Sequence, residues 1–276
     1  VAGTMGCSWP QAMSESLESP WQQTSLLPLV ATTTTTSTTA NTPTSTASAD
    51  QLLILDTETT GLDPEADQVL EVGAILFSVP QRAVLAQLSF LIPAESNAAE
   101  PLNGIAPAAT QAPQPWQQSL LLLQQLASSA QLAVAHNAAF DRQWFGHSEL
   151  PDLQLPWLCT MEDIHWPAER LLRPRPSVRD LALAYGVPVW AAHRALTDCI
   201  YLAQVFERCV DLEQLIAEGR EPRHLYRAQV SYDERHLARE AGFRWNDPVN
   251  GAWSRRLSER QLEALKLPFN VVPVAS

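Results

Sequence analysis

The sequence predicts an α/β fold, in which helices pack against a sheet. Two observations favour it: strand-like segments come first, as a hairpin, and further strands then alternate with helices. Leu52–Asp56 is a short apolar run that ends in polar residues, and Val69–Phe77 is apolar on both faces, as buried strands are. Ala83–Ile92 follows a turn at residues 80–82 and completes the hairpin.

The next part of the chain alternates helix and strand. Trp116–Leu126 has helical spacing, Leu132–Ala135 reads as another buried strand, and Phe140–Phe145 opens a helix. Leu196–Val210 continues as an amphipathic helix. Two pairs predict helix starts, because a hydroxyl residue followed three positions later by an acid is typical of an N-cap. These pairs are Thr160 with Asp163 and Ser177 with Asp180.

Composition limits the class of protein. The 276 residues are 46% hydrophobic, which supports a sizeable core, and their net charge of −12 argues against a general basic surface for long nucleic acid. Contact with a few phosphates at one site remains open. The four cysteines form no CxxC pair, no long apolar run occurs, and residues 1–50 contain no Lys or Arg. We therefore expect a cytoplasmic chain with reduced thiols, no membrane partner and no signal peptide.

Three regions are expected along the chain. Residues 1–50 form a Ser/Thr-rich tail without hydrophobic period, which we expect to be disordered. Residues 51–210 carry the α/β pattern, and residues 220–268 read as a small α+β module. The charge balance changes near the same point, because residues 219–276 carry 10 Lys and Arg against 7 Asp and Glu, whereas the preceding residues carry 8 against 23.

The small module has its own helix and strand signals. Ser231 with Glu234 forms a capping box, and Gly242 is placed to end that helix. Two short strands flank an Asn-Gly turn within residues 247–251, and a second capped helix follows. The aromatic side chains of the module are expected to form a minimal core. The alternative is that they form a platform on which the bases of single strands stack. They are Phe243, Trp245 and Trp253.

Two acids end the first predicted strand. Asp56 and Glu58 fall on the same face as Leu52 and Ile54, because strand side chains alternate. Adjacent like charges repel unless a cation lies between them, and all-oxygen ligation favours Mg²⁺ or Mn²⁺ over zinc. The pair alone is weak evidence for a metal site, since two such acids more often lie at a solvated strand end.

Two further segments strengthen the hypothesis of a metal site. His136–Asp141 follows a buried strand, and His193–Asp198 opens the last long helix; both have the spacing His-x4-Asp. On a helix, His193 and Asp198 diverge in direction. They converge if the centre lies near the helix start or if the histidine lies on the preceding loop, which would supply a base beside a metal-bound acid.

Taken together, three segments resemble the motifs of the DEDDh 3′–5′ exonucleases, the group of the proofreading epsilon subunit of bacterial replicative polymerase. They are Leu52–Leu62 (LLILDTETTGL), Ala135–Asp141 (AHNAAFD) and His193–Asp198 (HRALTD). The resemblance extends over about residues 51–208, with spacer features at residues 71–74, 103–105 and 159–161. It implies a ribonuclease-H-like fold: a mixed five-stranded sheet with helices on both faces.

The resemblance also implies the chemistry. Two divalent ions, Mg²⁺ or Mn²⁺, would be held by the four carboxylates Asp56, Glu58, Asp141 and Asp198. His193 would be the general base, taking the proton of the attacking water. The ions would polarise the scissile phosphate and neutralise the leaving oxyanion, and the product would be a nucleoside 5′-monophosphate cut from a 3′ end.

Other residues have both a functional and a structural interpretation. We expect Thr59, Thr60 and Leu62 to contact the terminal nucleotide, although Gly61 could simply permit a turn. Asn137 and Phe140 either line the same pocket or cap and brace the helix.

Several further side chains are interpreted as structural, or left open. His136 is read as a structural histidine rather than a second base. Glu71 either supports the metal ligands or, as we prefer, pairs with an arginine. An arginine cluster before the last motif either follows the substrate backbone or forms a solvated face. It comprises Arg170, Arg173, Arg175 and Arg179.

The function predicted is a metal-dependent 3′–5′ exonuclease acting on single strands or 3′ ends of DNA, in replication proofreading or repair. An oligoribonuclease or RNA-trimming enzyme is the alternative within this class. A nucleic-acid-binding, polymerase-associated subunit without turnover is the alternative outside it, but the complete set of five catalytic residues favours an enzyme. The partners expected are a DNA or RNA 3′ end and, in the proofreading case, a DNA polymerase subunit.

Overall fold

The computed structural model describes residues 49–191 and 193–274. The tail expected over residues 1–50 therefore lies, apart from its last two residues, outside the described residues. Three buried cysteines within the described residues are free thiols: Cys159, Cys199 and Cys209.

A mixed five-stranded sheet forms the centre of the main domain. Its strands are β1 (Gln51–Thr59), β2 (Val69–Ser78), β3 (Ala83–Leu91), β4 (Leu132–Ala135) and β5 (Trp157–Cys159). They lie in the order β3-β2-β1-β4-β5, with β1, β2 and β3 antiparallel and β4 and β5 parallel to β1. The mixed sheet is confirmed. β5 was missed because three residues are too few to show a period.

Seven helices accompany this sheet among the described residues. They are α1 (Glu100–Asn103), α2 (Pro107–Thr110), α3 (Trp116–Ser129), α4 (Ala138–Arg142), α5 (Val178–Ala184), α6 (Ala195–Arg208) and α7 (Leu212–Gly219), with a 3₁₀ turn at Ala168–Arg170. In the described part of the chain, no helix has the length and apolarity needed to cross a membrane.

Two predicted helix starts differ in the structure. The helix expected over Phe140–Phe145 is α4, which begins earlier, directly after Asn137, a residue in a left-handed conformation with φ of 70°. Thr160 does not cap a helix. It follows β5 in a turn, where the Asp163 carboxylate accepts a hydrogen bond from the Cys159 amide at 2.7 Å. Ser177, by contrast, forms the predicted capping box with Asp180 at the start of α5.

Helices cover both faces of the sheet, as predicted. On one face, Leu52 and Ile54 of β1 pack with buried residues of α5, α6 and α7. On the other, Leu53 and Leu55 pack with Leu123 of α3 and the segment after α4. The alternation of strand side chains thus sends the two faces of β1 into separate cores, and residues 52–55 are buried.

Helix α7 belongs to the first of these cores. Leu212, Leu215 and Ile216 are buried there, although the expected domain boundary at residue 210 precedes them. A Cβ on Gly219 would lie 2.7 Å from the Leu158 side chain, so the end of α7 approaches β5 closely. We therefore propose that the main domain extends through Gly219.

The C-terminal module is a second, four-stranded sheet with two helices. Its strands are β6 (His224–Gln229), β7 (Arg244–Trp245), β8 (Trp253–Leu257) and β9 (Asn270–Pro273), and its helices are α8 (Arg235–Glu240) and α9 (Glu259–Ala264). The order is β7-β8-β6-β9. Gly242, with φ of 77°, follows α8 as expected. Strands β6 and β9 were not predicted.

The aromatic residues of the module do not all lie in its core. Phe243 is buried with Tyr226 and Leu257, and Trp253 packs against this cluster. Trp245 is 53% exposed, and its ring lies beside that of Trp253 with 5.9 Å between centroids. The predicted aromatic core is therefore correct for Phe243 and Trp253 and wrong for Trp245.

The module contacts the main domain through polar side chains. Arg223 pairs with Asp163 at 2.8 Å and is the most buried cation among the ion pairs between the two regions. Arg244 pairs with Glu162 at 3.4 Å, and Arg260 pairs with Glu218 at 2.6 Å. Basic side chains of the module thus meet acids of the main domain, in agreement with the opposite charge balances of the two regions.

Candidate active site

The carboxyl end of β1 presents two acids to α6. Asp56 and Glu58 continue the face of Leu52 and Ile54, which packs against that helix. Asp198 lies in the first turn of α6. Carboxylate oxygens of Asp56, Glu58 and Asp198 lie within 4.8 Å of one another, in the one such acidic group found among the described residues.

The fourth acid reaches the site from α4. Asp141 is 2% exposed, and one of its oxygens accepts hydrogen bonds from the Thr57 amide at 3.0 Å and the Thr57 hydroxyl at 2.9 Å. Thr57 lies between the two acids of β1, so this contact fixes α4 against the strand end. The other oxygen of Asp141 is not used by these bonds.

Burial and mutual repulsion raise the pKa values of these acids. Burial, followed by the charges of Asp141, Asp198 and Glu58, raises the pKa of Asp56 well above its ordinary value. Burial and the neighbouring acids raise the pKa of Glu58 to about 8. Burial raises the pKa of Asp141 to about 7, against the opposing effect of the Thr57 hydrogen bonds, and that of Asp198 to about 6.

This donor set fits divalent cations. The four side chains supply only carboxylate oxygens, which hard cations such as Mg²⁺ and Mn²⁺ prefer. Bound cations would offset the burial and mutual repulsion that raise the pKa values of these acids. A cavity of about 510 Å³ lies at this site. It is lined by all four acids and by His193.

His193 lies on the loop before α6 rather than on the helix. The helix begins at Ala195, and His193 is exposed with φ of 59°, a left-handed conformation that is uncommon outside glycine. Of the two arrangements that the spacing allowed, the structure has the one with the histidine on the preceding loop. Its charge, together with a backbone hydrogen bond, lowers the pKa of Asp198 against the effect of burial.

Glu71 holds the start of α6. Its carboxylate accepts hydrogen bonds from Arg194 Nε at 2.8 Å and Nη2 at 2.9 Å, from the Ala195 amide at 3.1 Å and from the Ser89 hydroxyl at 3.1 Å. The pairing with an arginine is thus confirmed. Because Arg194 follows His193 and Ala195 begins α6, the bonds tie β2 to the segment that carries the candidate base and Asp198.

The predicted nucleotide contacts are placed unequally. Thr59, Thr60, Leu62 and Phe140 line the cavity with the carboxylates. Both threonines are buried and their hydroxyls bond to the loop that follows, whereas Leu62 is 79% exposed. Asn137 is exposed and is not among the lining residues, so the structure gives no support to its role in the pocket. These contacts remain predictions.

One wall of the cavity was not predicted as part of the site. Leu102 of α1 is 63% exposed there, and Asn103 donates from its side-chain amide to the Thr59 carbonyl at 3.2 Å. The spacer feature at residues 103–105 was the available signal. Its role was not recognisable because α1 is only four residues long and lies 44 residues from Thr59 along the chain.

The remaining candidates divide into structural and exposed residues. Both ring nitrogens of His136 have partners, the Thr160 hydroxyl at 2.9 Å and the Pro176 carbonyl at 2.8 Å, and burial lowers its pKa to about 4. His136 is therefore structural, as expected. Within the arginine cluster, three members have partners among the described residues: Arg170 stacks on Tyr185, Arg173 pairs with Asp180 and Arg175 pairs with Glu162.

Arg179 differs from its neighbours. It is exposed and forms no ion pair with another residue of the described chain, yet it lies near enough to Asp198 for its charge to lower the pKa of that acid. The cluster therefore contains one guanidinium whose charge acts on an acid of the carboxylate site.

Comparison with known proteins shows similarity over the main domain and, separately, over the module. Residues 53–206 match the exonuclease family, and residues 224–274 match a domain family of unknown function. The chain is 28% identical over 172 residues to the DNA polymerase III PolC-type of Thermotoga petrophila, covering 59% of this chain and 12% of that protein. It is 27% identical over 164 residues to the DNA polymerase III subunit epsilon of Treponema pallidum, covering 55% of this chain and 72% of that protein.

Solved structures also match the main domain. Exonuclease X in complex with 5′ overhanging duplex DNA is 26% identical, with a TM-score of 0.45, over 61% of this chain and 99% of that one. The nuclease domain of 3′hExo, a DEDDh family member, bound to rAMP, is 14% identical, with a TM-score of 0.47, over 59% and 92%.

Proposed function

The chain belongs to the exonuclease family, and on that premise we propose that it is a DEDDh 3′–5′ exonuclease that hydrolyses the terminal phosphodiester at 3′ ends of DNA. The observation that carries the proposal is the convergence of Asp56, Glu58 and Asp198 in one cavity with Asp141 and His193. Each hydrolysis would release a nucleoside 5′-monophosphate and leave a 3′ end for the next.

Four carboxylates would hold the metal. We propose that Asp56, Glu58, Asp141 and Asp198 bind two divalent cations, Mg²⁺ or Mn²⁺, which supply Lewis acidity toward the scissile phosphate and a lowered pKa for the attacking water. The protein's contribution is to fix these acids on three elements, β1, α4 and α6, before substrate arrives. The Thr57 hydrogen bonds to Asp141 and the Glu71 bonds at the start of α6 support that fixed arrangement.

His193 would move the proton. Its exposed imidazole lines the cavity with the carboxylates, so an unprotonated ring nitrogen is placed to accept a proton from the attacking water. The loop position allows the proton to pass to solvent after each turnover.

Substrate would be held by apolar contacts and one guanidinium. Leu62 and Leu102 are exposed beside the carboxylates, where they offer apolar surface to the terminal sugar and base, and Phe140 adds a ring. Arg179 offers bidentate contact to a phosphate of the substrate backbone. This arrangement supports recognition of a strand end rather than of a base sequence.

The relatives support DNA as substrate and a role beside a polymerase. They are DNA polymerase III proteins, one of them the epsilon subunit. The chain spans only 12% and 13% of the PolC-type relatives, so the activities of those whole proteins are not carried over. We propose proofreading or repair of DNA 3′ ends as the setting.

Matched single strands of DNA and RNA test the proposal. Each carries a 3′-terminal label and is incubated with the protein and Mg²⁺ or Mn²⁺, with Asp198→Asn as control. Labelled mononucleotide from DNA, absent with the variant, is expected. Faster release from RNA would identify RNA, and not DNA, as the substrate. No release from either strand would indicate a nucleic-acid-binding protein without turnover.

A further inference from the structure

The backbone just before His193 is bound by a single buried hydroxyl. Tyr201 Oη accepts hydrogen bonds from the Trp190 amide at 2.9 Å and the Ala191 amide at 3.0 Å, and donates to the Ala191 carbonyl at 2.7 Å. A tyrosine hydroxyl has one proton to donate and two lone pairs to accept with. All of this capacity is used on two consecutive residues of one loop.

Tyr201 lies on the helix that carries Asp198. It follows Asp198 by three residues on α6, is 1% exposed and belongs to the main core. The Trp190 ring lies edge-on to it, with 4.9 Å between ring centroids. Since the Tyr201 side chain is buried in the core, its hydroxyl is a fixed reference point for the loop.

The loop needs such a support because of its backbone. His193 has φ of 59°, and a non-glycine residue persists there only when the surrounding structure holds it. On the far side of His193, Glu71 binds Arg194 and the Ala195 amide. On the near side, the bonds to Tyr201 perform the same task. His193 is exposed and lies between these two anchors.

We infer that Tyr201 is a positioning residue, whose hydroxyl holds His193 in reach of the carboxylate site by binding the backbone at residues 190 and 191. The inference rests on the proposed role of His193 as general base. Tyr201 is not among the residues that line the cavity, and its hydroxyl has no capacity left for substrate. Its effect on catalysis would therefore be exerted through the loop.

Tyr201→Phe is the direct test, because it removes the hydroxyl and keeps the ring in the core. The kcat of the full-length protein on single-stranded DNA should fall by about 10- to 100-fold, as expected for displacement of a catalytic group by about 1 Å. KM should stay within about twofold, since the carboxylates and the cavity wall are unchanged. Tyr185→Phe is the matched control: it also removes a buried hydroxyl from the same core, one that contacts Cys209 Sγ at 3.7 Å, and kcat should not change.

A double-mutant cycle separates positioning from a general effect on folding. If Tyr201 acts through His193, the double variant Tyr201→Phe/His193→Ala should be no slower than His193→Ala alone. If Tyr201→Phe lowers kcat equally in the wild-type and His193→Ala backgrounds, the inference is overturned. It is also overturned if Tyr201→Phe has the wild-type kcat while His193→Ala is slow. A wild-type rate for His193→Ala would instead remove the proposed base, and the inference with it.

A second variant covers the case in which Tyr201→Phe does not fold. Ala191→Gly leaves the core intact and gives the bound backbone more conformational freedom. A several-fold loss of kcat, absent in the His193→Ala background, is expected. An equal loss of kcat in the His193→Ala background would contradict the inference.

Discussion

At the scale of single residues, the site concentrates charge that the fold alone does not offset. Among the groups that influence Glu58, Arg194 is the cation, and it acts against burial and three acids. Without a bound cation, burial and this repulsion raise the pKa values of the carboxylates, so that protons are released at higher pH than usual. A site of this kind exchanges protons for metal, which links metal binding to pH.

Replacing one carboxylate should abolish activity and leave the fold intact. Asp56→Asn and Asp198→Asn each remove a proposed metal ligand, and the loss of several kcal/mol of transition-state stabilisation corresponds to about 10³-fold in kcat. The metal-free variants should melt no lower than the metal-free wild type, because repulsion among the acids is relieved. Activity with Mg²⁺ and melting in EDTA are measured together, and exposed Asp152→Asn is the control. Wild-type turnover in either site variant would contradict the metal assignment.

The metal-free protein should lose stability as pH rises from about 6.5 to 8.5. Folding raises the pKa of Glu58 to about 8 and that of Asp141 to about 7, so the folded state binds protons that the unfolded chain, with ordinary pKa values near 4, has released. The stabilisation is complete at low pH and is lost as pH passes the folded pKa values. His136, whose pKa is lowered, acts in the opposite direction, but only below about pH 6.5.

Melting temperatures measured in EDTA across this pH range test the sign of the pH dependence of stability. Glu58→Gln should flatten the slope, and saturating Mg²⁺ should remove it, since metal replaces the protons. A melting temperature that is constant or rises with pH in EDTA would show that the acids are ionised without a cation.

At the scale of elements, the close approach of β2 and α6 sets the geometry of the site. Gly73 pairs with Asp56 across the sheet, and a Cβ there would lie 2.4 Å from the Ala195 carbonyl carbon and the Leu196 amide. Glu71, two residues earlier on the same strand, binds Ala195. One strand thus supplies both the space and the hydrogen bonds that place α6 against β1.

Gly73→Ala should move α6 away from the strand acids. The added methyl group meets backbone, which cannot rotate aside, so we expect a loss of about 1–3 kcal/mol of stability and a large loss of activity at temperatures where the protein is folded. Gly251→Ala is the comparison: it places a methyl group in open space at a turn of the module, with φ of 70°. It should affect stability only through its backbone and leave activity unchanged. Full activity in folded Gly73→Ala would contradict this account of the site.

At the scale of the whole molecule, two sheets contribute differently. The main domain contains every proposed catalytic residue. The module has its own small core, and its contacts with the main domain are ion pairs and hydrogen bonds, which are usually weak at an exposed surface. The partly buried pair of Arg223 and Asp163 is the exception.

The main domain should work without the module if α7 is retained. A protein of residues 49–220 should fold and cleave a dinucleotide at the rate of the full chain. A protein ending at residue 210 should be much less stable, because Leu212, Leu215 and Ile216 are lost from the core. Truncating one buried aliphatic side chain usually lowers the free energy of unfolding by about 2–5 kcal/mol. Thermal melting and dinucleotide cleavage are the measurements. If the protein of residues 49–220 is folded but inactive, the module contributes to catalysis.

The two module tryptophans should respond differently to alanine. Trp253→Ala should destabilise the module and make it sensitive to protease, because this ring packs on the core. Exposed Trp245→Ala should leave the fold unchanged, and if the ring stacks on single strands, KM should rise on long substrates by the equivalent of about 1–3 kcal/mol while dinucleotide cleavage stays constant. A KM unaffected by strand length would exclude stacking at Trp245.

Local pattern was enough for the elements and acids that a short stretch of chain defines. The hairpin of β1, β2 and β3 and the long helices follow from hydrophobic period, since side-chain alternation and helical spacing act over a few residues. Asp56 and Glu58 could be placed on one face for the same reason. Three ordered motifs then indicated the family, and the pairing of Glu71 with an arginine was anticipated.

Contacts between distant residues were decided by the tertiary structure. Strand β5 and the pairing of β6 with β9 depend on neighbours rather than on their own short sequences. The wall formed by α1, the placement of His193 before α6 and the bonds from Tyr201 to its loop exist only once helices and sheet are packed. The physical reason is that a single sequence shows periodicity and residue type, whereas hydrogen bonding and burial across many residues depend on three-dimensional arrangement.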